Sequence, residues 1–452
     1  MEAVVYLLAI PLIATLLPLL SERLGRAIVP GLAFITASIA TDMLLRGYTV
    51  SSYYFYADWY SMVLATTIAW IYFFASLASL YYVERVERPF YPLRLYWSFL
   101  SLFALSMIFT AVVSNLGWMW IGLEATTVVS AILIITDGKK RNVEGAWRYM
   151  IIASAGLGIA FLSVVITYSF AGTLDVRHLV LSEKAGAVVG LLAIVGFGTK
   201  VGLFPMHGWL PDAHGSAPSP VSAMLSGTLL PTALLVYYRL FKASTGLGKE
   251  AVYIALTVGI LTVLVASILM ASQRFVKRLL AYSSMDMMGV ATIGIALSYY
   301  RPSLLKLVFV LIAVHAFAKG ALFISAGSAV SRYGHEIGEI NGLLKDSPAL
   351  GYSFGLSALA VTGAPPFGTF LAELSILGVA LSINRWWALL IGTGLLLSFL
   401  ALNWHSAKML FGEGKGAEFQ RGEELIPLTM TLVALGVSLY AVYLALTGGL
   451  VI

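Results

Sequence analysis

The stretch GFGTKVGLFPMHGWLPDAHGSAPSP, residues 196–220, places a lysine in an apolar helix and then interrupts that helix with proline. Gly198 and Gly202 flank Lys200, and Pro205 follows. Proline removes a backbone donor and frees a carbonyl. In a membrane such a break is tolerated only where protein or water satisfies the freed groups. A charged side chain within a bilayer is costly, rare and usually functional. The stretch therefore predicts a membrane-spanning chain with an interrupted helix beside a working amine.

The composition agrees. Of the 452 residues, 60% are hydrophobic and 11% charged, whereas a soluble domain is about half apolar and about a quarter charged. The polytopic membrane class follows, and the lipid bilayer is the expected surrounding. The chain has no cysteine, which excludes disulfides, Cys-ligated zinc and thiolate-held iron–sulfur clusters within it. A net charge of +6 is explained by basic residues flanking spans, and no nucleic-acid partner is expected. Residues 1–20 are apolar without a basic leader and are expected to form the first span.

A span needs about 20 mainly apolar residues, and about fourteen such segments are found along the chain. They include 116–136, 186–206, 217–241, a broken one at 348–383 and a last one at 426–449. The loops between them are short, and none holds a soluble domain. With the N-terminus outside, 16 of the 28 Lys and Arg fall in inside loops and 9 in outside loops. The positive-inside rule then places both termini outside. The remaining three, Arg148, Lys200 and Lys319, lie inside or at the start of spans.

Charges and imidazoles within the spans are few: Glu124, Arg148, Lys200, Asp286, His315 with Lys319, Glu373 and His405. They are spread along successive helices, which suits a proton relay better than one substrate pocket. Lysine suits that work because burial and a movable carboxylate act on its proton in opposite senses. Static ion pairs that fix helix packing are the plainer reading of any one of them. A second break, Pro365 and Pro366 before Glu373 in TGAPPFGTFLAEL, lies five spans after the first. Two interrupted helices, each with a buried charge, are a signature of internal repeats, here about spans 4–8 and 9–13. The expected division is an N-terminal three-helix segment 1–94, repeats 95–245 and 246–412, and a C-terminal helix 413–452.

The run GTKVGLFPMHGWLPDAHGSAPSPVSAMLSG resembles the antiporter-like membrane subunits of respiratory complex I, Mrp-type cation/proton antiporters and group 4 membrane-bound hydrogenases. LEATTVVSA, KRLLAYSSMDMMG, HAFAKGALFISAG and TGAPPFGTFLAEL fall in the same family's order, from about residue 100 to 410. LEATT, LSGTLL and HSAKMLFGE look closest to the component F type of hydrogenase-4 (formate hydrogenlyase). The resemblance implies an all-α polytopic fold of about 14 transmembrane helices, with two inverted five-helix repeats, each with one broken helix. It also implies roles. Glu124 would pair with the broken-helix lysine, Lys200. His315 and Lys319, on one helix face, would form the central relay, and Glu373 would be the terminal charge. Arg148, His207, His214, Asp286 and His405 are accessory candidates, His207 and His214 matching family residues at the helix exit. Where many members carry Lys or His in the eighth helix, this chain has Ser226, Thr228 and Pro231. Leu311 replaces a second histidine, and Met287 stands where close relatives place His.

The function so implied is a proton-translocating, or Na+-linked, subunit of a redox-driven complex in the plasma membrane. A membrane-bound [NiFe] hydrogenase is the leading case. Its partners would be other membrane subunits and a peripheral hydrogenase or redox arm. No cofactor is expected in this chain; a nickel–iron centre and iron–sulfur clusters would belong to partner subunits. The alternatives are an Mrp-type antiporter subunit without a redox module, and a non-pumping membrane anchor.

Overall fold

The computed structural model describes residues 2–245 and 249–447. Residues 448 and 449 of the expected last span, and the start of the segment expected at 246, lie outside the described residues. The chain is helical almost throughout. Helices α1 (Glu2–Leu16), α2 (Glu22–Leu45) and α3 (Trp59–Val83) come first, with a two-stranded ribbon, β1 (Val50–Ser51) and β2 (Tyr56–Ala57), between α2 and α3. Then follow α4 (Leu93–Val112), α5 (Leu116–Ile134), α6 (Lys140–Ala171), α7 (Glu183–Val201), and the short α8 (Leu210–Ser216) and α9 (Ser219–Met224). The remainder are α10 (Leu230–Ser244), α11 (Glu250–Ala271), α12 (Val276–Leu297), α13 (Leu304–Tyr333), α14 (Leu343–Asp346), α15 (Pro348–Ala360), α16 (Gly368–Ile383), α17 (Arg385–Leu410) and α18 (Arg421–Leu446).

Among the described residues, 13 helical segments are long and apolar enough to cross a membrane, and α16 is a shorter apolar helix. With α15 and α16 taken as one interrupted span, these are the fourteen read from the sequence. The chain is an all-α polytopic membrane protein. It divides into two compact units, Met1–Ala255 and Leu256–Ile452, and each contains one interrupted helix.

Within each unit the burial pattern follows side-chain chemistry. In the second unit, α12 and α13 are buried along nearly their whole length. In the first, the run Ser219–Ser244 plays the same part. A helix apolar on all sides belongs in a core. The outer helices instead present large apolar side chains, such as Phe34, Ile151, Phe161, Leu400 and Leu439, to the surroundings. Helix starts are capped by side chains that fill orphan donors: Asn115 accepts from Gly117 N at 2.8 Å, and Asn384 from Trp386 N at 2.9 Å. Helices α6 and α7 cross closely because Gly156 lies against Thr199 and Gly196 against the Ala160 backbone, with no room for a Cβ at either. That crossing sets Lys200 beside Tyr149.

Two features differ from the sequence reading. Arg239 belongs by that reading to an outside loop. It is instead 5% exposed within α10 and forms a bidentate pair with Asp58, Nη1 to Oδ2 at 2.6 Å and Nη2 to Oδ1 at 2.8 Å. Its position near a helix end mimics an interfacial arginine; the partner, the cap residue of α3, is remote in sequence. Second, α10 is preceded by a π-helical turn, Leu225–Leu229, in which Leu230 N bonds Leu225 O. Pro231 lacks a donor, and its ring crowds the carbonyl four residues back. A wider turn just ahead of it is a common accommodation of such a helix.

Burial alone would raise the Asp58 carboxyl. The hydrogen bonds and charge of Arg239 outweigh burial and hold it below the usual carboxylate range. Because the folded-state value lies below the unfolded one, near 4, the stabilisation is complete above about pH 4. It is lost as pH falls through the lower folded-state value. Asp58→Ala leaves the guanidinium unpaired and is expected to cost about 3 kcal/mol. The check is a lower thermal midpoint in detergent at neutral pH, with the difference from wild type shrinking in acid.

Candidate functional site

Lys200 is the penultimate residue of α7. The helix ends at Gly202, three residues before Pro205. Gly202 has φ +85° and Gly363 has φ +65°, a region open to glycine at little cost. Both breaks close in the same way: Leu203 N bonds Gly198 O at 2.9 Å, and Ala364 N bonds Leu359 O at 3.1 Å. This six-to-one closure on a left-handed glycine is the Schellman arrangement. In both, a proline follows three residues after the glycine, as GLFP and GAPP. The proline prevents resumption; the glycine makes the exit. Carbonyls near each break are satisfied by protein groups: Trp209 Nε1 donates to Thr199 O at 2.7 Å, and Thr369 Oγ1 to Ala360 O at 2.5 Å. That is what a membrane-depth break requires.

In the first unit Lys200 is fully buried. Its ammonium donates to Thr127 Oγ1 at 2.7 Å and Tyr149 OH at 2.6 Å, and sits 4.8 Å from the Tyr149 ring centroid. Ser130 Oγ lies 2.8 Å from Tyr149 OH and donates to Thr126 O at 2.6 Å. With the serine proton so committed, the tyrosine proton points to Ser130. The hydroxyls form a directed chain from the amine to the α5 backbone. Glu124 lies three residues before Thr127 on α5, yet makes no ion pair with Lys200. Its Oε1 accepts from Ser154 Oγ at 2.6 Å, and its buried Oε2 has no hydrogen-bond partner.

The second unit repeats the theme. Lys319 is fully buried in α13, and its Nζ donates to the Leu280 carbonyl at 2.9 Å. His315 is buried one turn earlier on the same helix. Asp286, 2% exposed in α12, accepts from Ser398 Oγ at 2.7 Å and does not touch Lys319. Glu373 is buried in α16; its carboxylate lies against Gly363, where a Cβ would collide with it. So the break glycine and the buried acid pack as one piece. In each unit a buried lysine rests on neutral oxygens, and a carboxylate is held by a serine hydroxyl.

The accessory candidates scatter. Arg148 is exposed, not buried. It pairs with Glu144 at 2.6 Å and Asp212 at 3.4 Å, because it lies on the outward face of α6, opposite the buried Asn142, Gly145, Ala146 and Tyr149. His207 lies in a short 3-10 turn after the break, its ring 5.8 Å from that of Phe204. His214 is fully buried in α8. His405, 8% exposed in α17, meets Ala271 O at 3.3 Å. Ser226 and Thr228, in the π turn, are fully buried. Sequence reasoning does not find Thr127, Ser130, Tyr149, Ser154 or Ser398. The available signal is a hydroxyl on the same helical face as a buried charge, as Thr127 is three residues after Glu124.

Residues 113–400 match the family described as NADH:quinone oxidoreductase/Mrp antiporter, transmembrane. The chain belongs to this family. A hydrogenase-4 component F homolog of Methylacidiphilum infernorum (isolate V4) is 29% identical over 341 residues, covering 72% of this chain and 71% of the relative. Among solved structures, a chain of the archaeal membrane-bound sulfane sulfur reductase superposes with a TM-score of 0.85 at 20% identity, over 98% of this chain and 95% of that one. A chain of the Mrp complex from a Dietzia species gives 0.84 at 19% identity, over 97% and 93%. At these identities the two structures establish the shared fold. The chain is thus an antiporter-like membrane subunit of the kind found across complex I, Mrp antiporters and group 4 hydrogenases.

Two sets of substitutions test the site's construction. Tyr149→Phe removes one of the two acceptors of a buried ammonium and is expected to cost about 1.5–3 kcal/mol, seen as a lower thermal midpoint in detergent. Alanine at either break glycine imposes a left-handed conformation worth about 1–2 kcal/mol. Gly363→Ala is expected to exceed Gly202→Ala, because its Cβ also displaces the Glu373 carboxylate, whereas at position 202 it meets the flexible end of Leu210.

Proposed function

We propose that this chain is a proton-translocating subunit of a redox-driven membrane complex, of the membrane-bound [NiFe]-hydrogenase type or a related complex I-like enzyme. The observation that carries the reading is the seating of both buried lysines on neutral oxygens, apart from Glu124 and Asp286. A static structural pair would hold amine and carboxylate in contact, since breaking a buried pair leaves an uncompensated charge. An amine on hydroxyl and carbonyl oxygens, with a carboxylate held separately, is arranged to gain and lose a proton as the two approach or part. In this reading Lys200 takes up a proton, Glu124 governs its release, and Lys319 with His315, Asp286 and Glu373 does the same work in the second unit. The glycine-based breaks supply the local freedom such movement needs. The matching closures at Gly202 and Gly363 also support the repeat reading, one break per repeat.

The chain itself carries no redox group in this proposal. Driving force comes from partner subunits: other membrane subunits, and a peripheral arm holding the nickel–iron centre and iron–sulfur clusters. The likeness to a hydrogenase-4 component F homolog supports that choice over an antiporter without a redox module. The setting is the plasma membrane, with both termini outside, as the distribution of basic residues favours.

The deciding experiment is proton uptake into inverted vesicles carrying the complex with Lys200→Ala, measured beside redox turnover. Turnover is expected to persist while uptake per electron falls. Unchanged uptake per electron would make the chain a non-pumping anchor. Nickel and iron analysis of the purified complex separates the remaining cases: nickel with iron is expected, and the absence of both would identify an antiporter assembly.

A further inference from the structure

A cavity of about 600 Å³ opens on the outer face of the second unit between α11 and α17, within the usual range for small-molecule sites. Its wall is mainly apolar: Ile268 and Ala271 on one side, Leu397, Leu400 and Ala407 on the other, with Trp404 at the edge. Ile268, Leu400 and Trp404 are exposed, so none of the described residues covers the groove. It is not uniformly greasy. His405 lines it, is 8% exposed, and has a buried Nδ1 without a hydrogen-bond partner. Its Nε2 meets Ala271 O, fixing this point of α17 against the last residue of α11.

That contact also fixes which end of the membrane the groove approaches. From Ala271 the chain leaves α11 and reaches Arg274, Lys277 and Arg278 within seven residues. From His405, α17 runs on to Lys408 and ends at Leu410. Both helices terminate at this end, and basic side chains mark it. Arg274 and Lys408 are exposed and have no acidic partner among the described residues. Lys408 lies 5.0 Å from the Trp404 ring, its one charge-related contact. Acids at the same end are engaged elsewhere: Glu339 accepts from Glu336 N at 2.9 Å, and Glu413 faces Lys345 at 3.3 Å.

We infer that this groove is a binding site for an anionic phospholipid. One acyl chain lies along the apolar wall between α11 and α17, and the phosphate faces Arg274 and Lys408. The argument is charge complementarity joined to shape. A neutral lipid leaves those cations unmatched, and a free anion leaves the apolar wall bare. Basic positions beside a cleft between spans, with a tryptophan at the interface, are the features that recognise anionic headgroups. His405 holds the floor of the groove in place through its bond to Ala271 O, and the headgroup is held by the two cations. The site is independent of the proton-transfer reading, because none of the proposed relay lysines or carboxylates lines it.

The test is native mass spectrometry of the full chain released from nanodiscs of phosphatidylglycerol or of phosphatidylcholine. Wild type is expected to retain a phosphatidylglycerol molecule, with retention of phosphatidylcholine lower by about tenfold. The double variant Arg274→Glu, Lys408→Glu is expected to lose that preference. Ala407→Trp, which fills the groove and keeps the cations, is expected to lose the bound lipid. Equal retention of the two lipids, or unchanged retention in both variants, overturns the proposal. So does displacement by millimolar inorganic phosphate, which makes this a simple anion site, or a co-purifying helix cross-linked to Trp404, which makes it a subunit interface. Size-exclusion profile and helical signal confirm that each variant is folded.

Discussion

A primary amine buried at membrane depth must find oxygen atoms to donate to, and the structure is arranged around that need. Lys200 finds the hydroxyls of Thr127 and Tyr149, and Lys319 finds the Leu280 carbonyl. The consequences spread outward. Tyr149 must sit on α6 close enough to reach the end of α7, so those helices cross at Gly156 and Gly196 with no side chain between them. Tyr149 in turn needs Ser130, and Ser130 donates a hydrogen bond to the Thr126 carbonyl of α5. Three helices are thereby held in register by one amine.

The breaks create a second need for polar partners, at the backbone and not at the amines. A left-handed glycine ends the helix beside the charge, and the Schellman bonds, the Trp209 indole and the Thr369 hydroxyl meet polar atoms that the exit would otherwise leave bare. The two units use this device with opposite placement of the charge. Lys200 precedes its break by two residues, whereas Glu373 follows Gly363 by ten and folds back against it.

The fold was legible in the sequence because apolar runs of span length are hard to mistake, and the ionisable candidates were legible because each is rare against that background. Their partners were not. Serine and threonine are common in spans, where most bond the carbonyl one turn back, as Thr67 and Ser79 do here. Nothing local distinguishes Ser154 or Ser398 from these. Arg148 and Arg239 exchanged places for a similar reason. Both stand near helix ends, and only the remote partner decides burial: Asp58 draws Arg239 inward, while Asp212 and Glu144 hold Arg148 at the surface. Likewise the prolines drew attention at both breaks, but the conformation that ends each helix belongs to the preceding glycine.

The widened turn at Leu225–Leu229 has a further effect on α10. It inserts one residue into the helical count, and everything after it is rotated by about 100° relative to a regular helix. Arg239 lies beyond that turn. Its alignment with Asp58 therefore depends on a backbone irregularity ten or more residues away. Shortening the turn by one residue would swing the guanidinium off its carboxylate without altering either side chain. The pairing at residue 239 thus depends on the length of that turn as much as on the two side chains that form it.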